Sequence, residues 1–260
     1  MDLKLKDKVA LVTGTGSQIG YGKGIALTLA KEGCHIISAD IDFEGAQKTA
    51  REIEALGGQT LVLRVDVTKR DQVDETVKKT LEKFGRIDIL VNNAGVGSLE
   101  RPFLEKTRAD WDKDIQVNLY GQMNMAQSVL PHMIERHYGR IVTISGGMGF
   151  PLLSTYGAAK AGITALSQSL AKEAASLGVI VNVVVPGLAL TGLIKNAPPE
   201  FIESFRQNSW LKRFCTPEDL APLVAFLASD VCSYMTGQVI TWAGLSLFSS
   251  ACPARPVCRG

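Results

Sequence analysis

No apolar stretch in this 260-residue chain approaches the ~20 residues that a membrane-crossing helix needs. Met1-Asp2-Leu3-Lys4 opens no secretory leader, so a soluble, cytoplasmic protein with no membrane partner is expected. Charge of one sign is also missing. With 28 basic and 26 acidic residues the net charge is only +2, and no basic stripe carries interleaved aromatics, which argues against a nucleic-acid partner. The five cysteines, Cys34, Cys215, Cys232, Cys252 and Cys258, are odd in number and show no Cys-x-x-Cys spacing. Reduced thiols are therefore expected. Histidine is scarcer still: His35, His132 and His137 make no ligand pattern with acidic neighbours, so no metal site is predicted.

What the chain does have is ordinary globular composition, 46% hydrophobic and 21% charged, enough to bury a full core. It also has a regular alternation. Apolar runs at Val9–Val12, His35–Ala39, Thr60–Val65, Ile87–Val91, Ile141–Ser145, Val179–Val185 and Gly237–Thr241 read as strands. Between them lie helical patterns, from the glycine loop to Gly33, over Phe43–Gly57, Lys69–Phe84 and Ala109–His137, from Tyr156 to Gly178, and from Pro217 through Ala228. Strands alternating with helices imply a parallel sheet covered on both faces. No internal linker is visible. The expectation is one α/β domain over 1–248, a doubly wound sheet of about seven strands, with a substrate lid at about 188–214 and a mobile tail over 249–260.

Ligand chemistry is expected where these strands end. The loop after the first strand, Thr13 to Gly24, is glycine-rich, which lets a backbone approach a pyrophosphate at the start of the next helix. Asp40 ends the second strand and can accept both ribose hydroxyls of an adenosine while repelling a 2′-phosphate. With Ile41 next and no basic residue in the loop before Lys23, NAD is expected rather than NADP. Asp66, after the third strand, is placed either to meet the adenine amino group or to begin a turn. Asn92-Asn93-Ala94-Gly95 follows the fourth strand, with amides to tie the loop and small residues to admit a flat ligand. Asn118, an amide within an apolar helix, bonds either locally or to a water near Lys160. Thr191 either holds a carboxamide or caps a helix.

Tyr156 and Lys160 stand four apart on one helix face. A free tyrosine ionises near pH ~10, so half-ionisation near neutrality requires a shift of ~3 units, about 4 kcal/mol. An ammonium about 4 Å away at an effective dielectric near 20 supplies roughly that amount. An ionisable base is the resulting expectation.

In this order the motifs resemble the short-chain dehydrogenase/reductase family over about residues 7 to 242. They are Thr13-Gly14 and its glycines, Asp40, Asp66-Val67, Asn92-Asn93-Ala94-Gly95, Asn118, Tyr156-x-x-x-Lys160, Pro186-Gly187 with Thr191, and Thr236-Gly237. The resemblance implies a Rossmann fold, a nicotinamide cofactor and a catalytic set of Asn, Ser, Tyr and Lys. Carried over, Tyr156 is the acid/base, Lys160 lowers its pKa and holds the ribose, and Asn118 anchors a water. Gly14, Gly20, Gly22, Asp40, Asp66, Val67, Asn93, Ala94, Gly95, Pro186, Gly187 and Thr191 line the cofactor.

Two departures stand out. Gln18 occupies a glycine position unless two residues are inserted, which makes Gly20 and Gly22 the second and third glycines of a loop like that of enoyl reductases. Gly146 stands where the family serine is expected, in a connection three residues shorter, leaving Ser145, or else Ser154, as the hydroxyl. The function implied is NAD-dependent interconversion of a secondary alcohol and a ketone. The alternatives are NAD(P)H-dependent reduction of a carbonyl or activated double bond, and a non-catalytic NAD-binding regulator. Leu99, Phe103, Phe150, Pro151, Leu152, Leu153, Leu188, Leu193, Phe201 and Trp210 are candidates for an apolar substrate pocket. The small residues of the Tyr156 helix suggest a subunit contact, and the resemblance implies a homotetramer.

Overall fold

The computed structural model describes residues 2–97, 101–189 and 199–244, the side chains of Phe201 and Phe205 excepted. Thr191, Leu99, Leu193, the Phe201 side chain, Cys252, Cys258 and the tail fall outside the described residues. Among the described residues seven strands form one sheet, β1 (Val9–Thr13), β2 (His35–Asp40), β3 (Thr60–Arg64), β4 (Ile89–Asn92), β5 (Gly139–Ile144), β6 (Val179–Pro186) and β7 (Val239–Trp242). Their order is β3-β2-β1-β4-β5-β6-β7, and every pairing is parallel. The doubly wound fold read from the alternation is therefore the observed one. The strand order reverses between β1 and β4, where open sheets of this kind form their ligand crevice.

Period-two alternation explains why these runs are apolar throughout. In β1, Ala10 and Val12 join the cluster built with Ile25 and Leu29 of α1 (Tyr21–Lys31) and Leu220 and Val224 of α8 (Pro217–Leu227). Val9 and Leu11 face the opposite cluster, with Val73 and Val77 of α3 (Arg70–Phe84) and Met125 and Val129 of α5 (Gln122–Glu135). A strand covered on both faces admits an interior polar residue only with a partner, as Asn182 has in the Met235 carbonyl. Asp40 and Asn92 lie at strand ends, and Ser145 just past one.

The remaining helices are α2 (Phe43–Ala55), α4 (Arg108–Ile115), α6 (Ser154–Ala174) and α7 (Pro199–Asn208). The single helix expected over Ala109–His137 is in fact three segments. A π-helical stretch, Gln116–Gly121, separates α4 from α5, and Asn118 sits in it. Within the expected lid, 199–208 is a regular helix, because its apolar positions recur at helical spacing once Pro199 opens it.

Candidate active site

The crevice is framed by hydrogen bonds that the four-residue loop after β4 makes to β1. Thr13 Oγ1 accepts from the backbone amides of Asn93 and Ala94 at 3.0 and 2.9 Å. Asn93 Nδ2 donates to the carbonyls of Thr13 and Gly14 at 2.8 and 3.2 Å. Gly14 has φ +76, and a β-carbon there would lie 2.6 Å from Asn93 Nδ2, so glycine is needed both for its backbone and for the close approach.

Gly20 is the N-cap of α1, and a β-carbon on Gly22 would fall 2.1 Å from the Gly14 carbonyl oxygen, which lets the helix seat against the strand loop. Gln18 points elsewhere. Its Nε2 donates to the carbonyls of Gly16 and Gly45 at 2.9 and 3.0 Å, clamping the loop to α2. No side chain caps α1, and its first turn holds no acid, whereas Asp42, Thr107 and Thr216 cap α2, α4 and α8. The leading amides of α1 therefore remain suited to an anion. This arrangement fits a dinucleotide pyrophosphate.

Asp40 ends β2 as expected. Its carboxylate accepts from the Gly16 and Asp42 amides at 2.6 and 2.8 Å, and burial pushes its pKa up despite those bonds. Two oxygens with one bond each still have acceptor capacity for ribose hydroxyls. The structure adds a cation the sequence reading missed: Arg64 is the register partner of Asp40 on β3 and is exposed. Asp66 makes a turn, its Oδ1 accepting from the backbone and hydroxyl of Thr68. Val67 packs against Gly121, where a β-carbon would lie 2.5 Å from Val67 Cγ2.

Tyr156 and Lys160 lie in the first two turns of α6. The Lys160 ammonium stands 5.6 Å from the centre of the Tyr156 ring and donates to the Ile144 carbonyl at 3.2 Å. The predicted direction of the tyrosine shift is reversed. Burial, with a smaller contribution from the Asp114 carboxylate, pushes the Tyr156 pKa up to about 12, and burial pushes Lys160 down to about 8. The Coulomb attraction of the ammonium favours the phenolate, but the desolvation of both partners outweighs it.

Asn118 is fully buried, and its amide is engaged. Its Nδ2 donates to the carbonyls of Val96 and Asp114 at 3.1 and 3.0 Å, while Oδ1 accepts from Val96 N at 3.2 Å. What remains for a water is the second lone pair of Oδ1. A β-carbon on Gly95 would lie 2.8 Å from this oxygen and 3.5 Å from Lys160 Nζ, so both groups border the same glycine.

Ser145 does not reach the tyrosine. Its hydroxyl bonds the Lys160 carbonyl at 3.0 Å and Thr164 Oγ1 at 2.8 Å, one turn along α6 from Lys160. Ser154 is exposed at the start of α6. Gly146 is the residue beside the Tyr156 hydroxyl. The short connection after it is accommodated by two left-handed residues, Gly149 at φ +77 and Leu152 at φ +68, and Phe150 packs near Val183, Val185 and Ala243. Of the other pocket candidates, Phe103 stacks on Trp111 and Trp210 is 71% exposed.

Two contacts were not expected. Thr155 donates its hydroxyl to the buried carboxylate of Asp114. Asp114 precedes Asn118 by four residues, and that helical spacing was the available signal. Tyr21 donates across the crevice to the Gly187 carbonyl at 2.8 Å, joining the glycine loop to the end of β6. No local pattern announces that bond.

Residues 14–244 match the sequence family described as enoyl-(acyl carrier protein) reductase. The 3-oxoacyl-[acyl-carrier-protein] reductase FabG of Thermotoga maritima is 40% identical over 241 residues, covering 92% of this chain and 97% of that protein. A short-chain type dehydrogenase/reductase from Mycobacterium marinum superposes with a TM-score of 0.89 at 31% identity, covering 94% of this chain and 96% of the other. A 3-ketoacyl-(acyl-carrier-protein) reductase from Brucella melitensis, solved with NADH, gives 0.86 at 33% identity over 93% and 98% of the two chains.

Proposed function

Because the chain belongs to the short-chain dehydrogenase/reductase family, we propose that it is an NAD-dependent oxidoreductase interconverting a ketone and a secondary alcohol, with 3-oxoacyl thioesters as the first substrate class to test. The observation that carries this reading is that Asn118 and Lys160 border Gly95 after β4 while the Lys160 ammonium stands 5.6 Å from the centre of the Tyr156 ring. A bound nicotinamide supplies or accepts the hydride. Tyr156 carries the proton at the substrate oxygen. A phenol pushed up to about 12 is protonated throughout the neutral range, so it enters the reduction as the general acid and the reverse oxidation as the base. Lys160 lines the floor beside it, and Asp40 selects the adenosine ribose.

The supporting resemblances are the 40% identity to a 3-oxoacyl reductase and the NADH-bound 3-ketoacyl reductase at 33%. The test is NADH consumption with a short 3-oxoacyl thioester and with unactivated ketones, Tyr156→Phe serving as control. A second reading is reduction of an activated double bond. It is favoured by the family description and by the glycine beside the tyrosine, so a 2-enoyl thioester belongs in the same panel. NADH binding without turnover of any of these would support the non-catalytic alternative.

A further inference from the structure

We infer that Gly146 is a positioning residue of this site: its missing side chain is the space that the Tyr156 hydroxyl occupies, so that any side chain there, serine included, lowers turnover. This rests on the oxidoreductase reading above. A β-carbon on Gly146 would stand 2.5 Å from the Tyr156 hydroxyl oxygen, 3.2 Å from Tyr156 Cζ and 3.3 Å from Lys160 Cγ. All three atoms belong to the two residues at the centre of the proposed chemistry. Backbone conformation is not the reason for glycine, since Gly146 is not among the glycines with positive φ; the requirement is for space.

The chain just past β5 runs along α6. Ser145 turns its hydroxyl toward Thr164 and the Lys160 carbonyl, and Gly146 follows against the Tyr156 hydroxyl and Lys160 Cγ. The hydroxyl is the far end of a side chain with two torsions, so an intruding β-carbon is relieved by swinging the ring. That swing removes the acid from the reacting oxygen. With the hydroxyls of Ser145 and Thr155 given to other partners, the proton at that oxygen depends on where Tyr156 stands.

The experiment is a kinetic and thermal cycle on the full chain with Gly146→Ala, Gly146→Ser, Tyr156→Phe and the combined variants. Both Gly146 substitutions should lower kcat at least tenfold while leaving the KM for NADH within about twofold, the signature of a misplaced acid rather than lost cofactor binding. They should also lower Tm by about 5 °C in the native background and by less than half of that with Phe at 156, where the hydroxyl no longer competes for the space. Gly146→Ser turning over as fast as the native protein, or equal Tm losses in both backgrounds, overturns the inference. If the native protein reduces none of the substrates, the reading above fails, and the thermal cycle alone decides whether the hydroxyl and the β-carbon contend for one space.

Discussion

Lys160 and Tyr156 perturb each other less than their burial perturbs both. Lys160 falls from its ordinary 10.5 to about 8 because its ammonium is desolvated. Below about 8 the folded protein bears the cost of a buried charge. Between about 8 and 10.5 the unfolded chain binds a proton that the folded one does not, so stability rises with pH across that window. The native protein should therefore gain resistance to urea between pH 7.5 and pH 10 through this group, and Lys160→Met should remove that part of the gain, as comparison of the two pH series will show. At the other end of the crevice, Asp40 and Arg64 face each other in register with opposite preferences for a 2′-phosphate. Asp40→Asn should shift the ratio of kcat/KM for NADPH over NADH by at least about tenfold toward NADPH, and adding Arg64→Gln should reverse most of that shift; steady-state kinetics with both cofactors measures it.

At the scale of elements, the start of α6 is held from outside. Its N-cap, Leu153, makes no side-chain bond and its first turn has no acid, while the Asp114 carboxylate of α4 accepts from Thr155 within that turn. An anion at an otherwise uncapped helix start complements its dipole. Thr155→Val deletes a charge-assisted hydrogen bond and should cost about 1–3 kcal/mol, a Tm loss of roughly 3–10 °C in thermal melts.

Most elements were legible because a strand buried on both faces is an unbroken apolar run, and the carboxyl-end motifs follow directly from where such runs stop. The π-helical stretch at Asn118 was not legible. Apolar spacing over Ala109–His137 reads as one helix, and a single wider turn leaves no mark in composition. Ser145 was misread for a different reason. The apolar run shows where β5 stops, but not which of Ser145 and Gly146 packs beside the tyrosine hydroxyl. The Thr155–Asp114 bond spans 41 positions, and only the packing of α4 on α6 creates it. The direction of the Tyr156 shift was missed because burial is a property of the fold and not of the Tyr-x-x-x-Lys spacing.

At the scale of the whole molecule, the outer face of α6 exposes Ala158, Ala161 and Ala165, and Tyr120 and Met123 are 46% and 37% exposed beside α5. Small residues on a helix face permit close approach of a second copy. Light scattering in solution should give four times the 28.0 kDa of one chain, and a mass of one chain would contradict a homotetramer. Among the described residues no helix is long and apolar enough to cross a membrane.

In the proposed reaction Tyr156 carries the proton that accompanies hydride transfer. The most direct test of that role is the rate of NADH oxidation with a 3-oxoacyl thioester, native protein against Tyr156→Phe, with NADH affinity measured alongside. The native protein should turn over and the variant should lose about 10²–10⁴-fold in rate at unchanged NADH affinity. Equal turnover by both proteins would contradict that role.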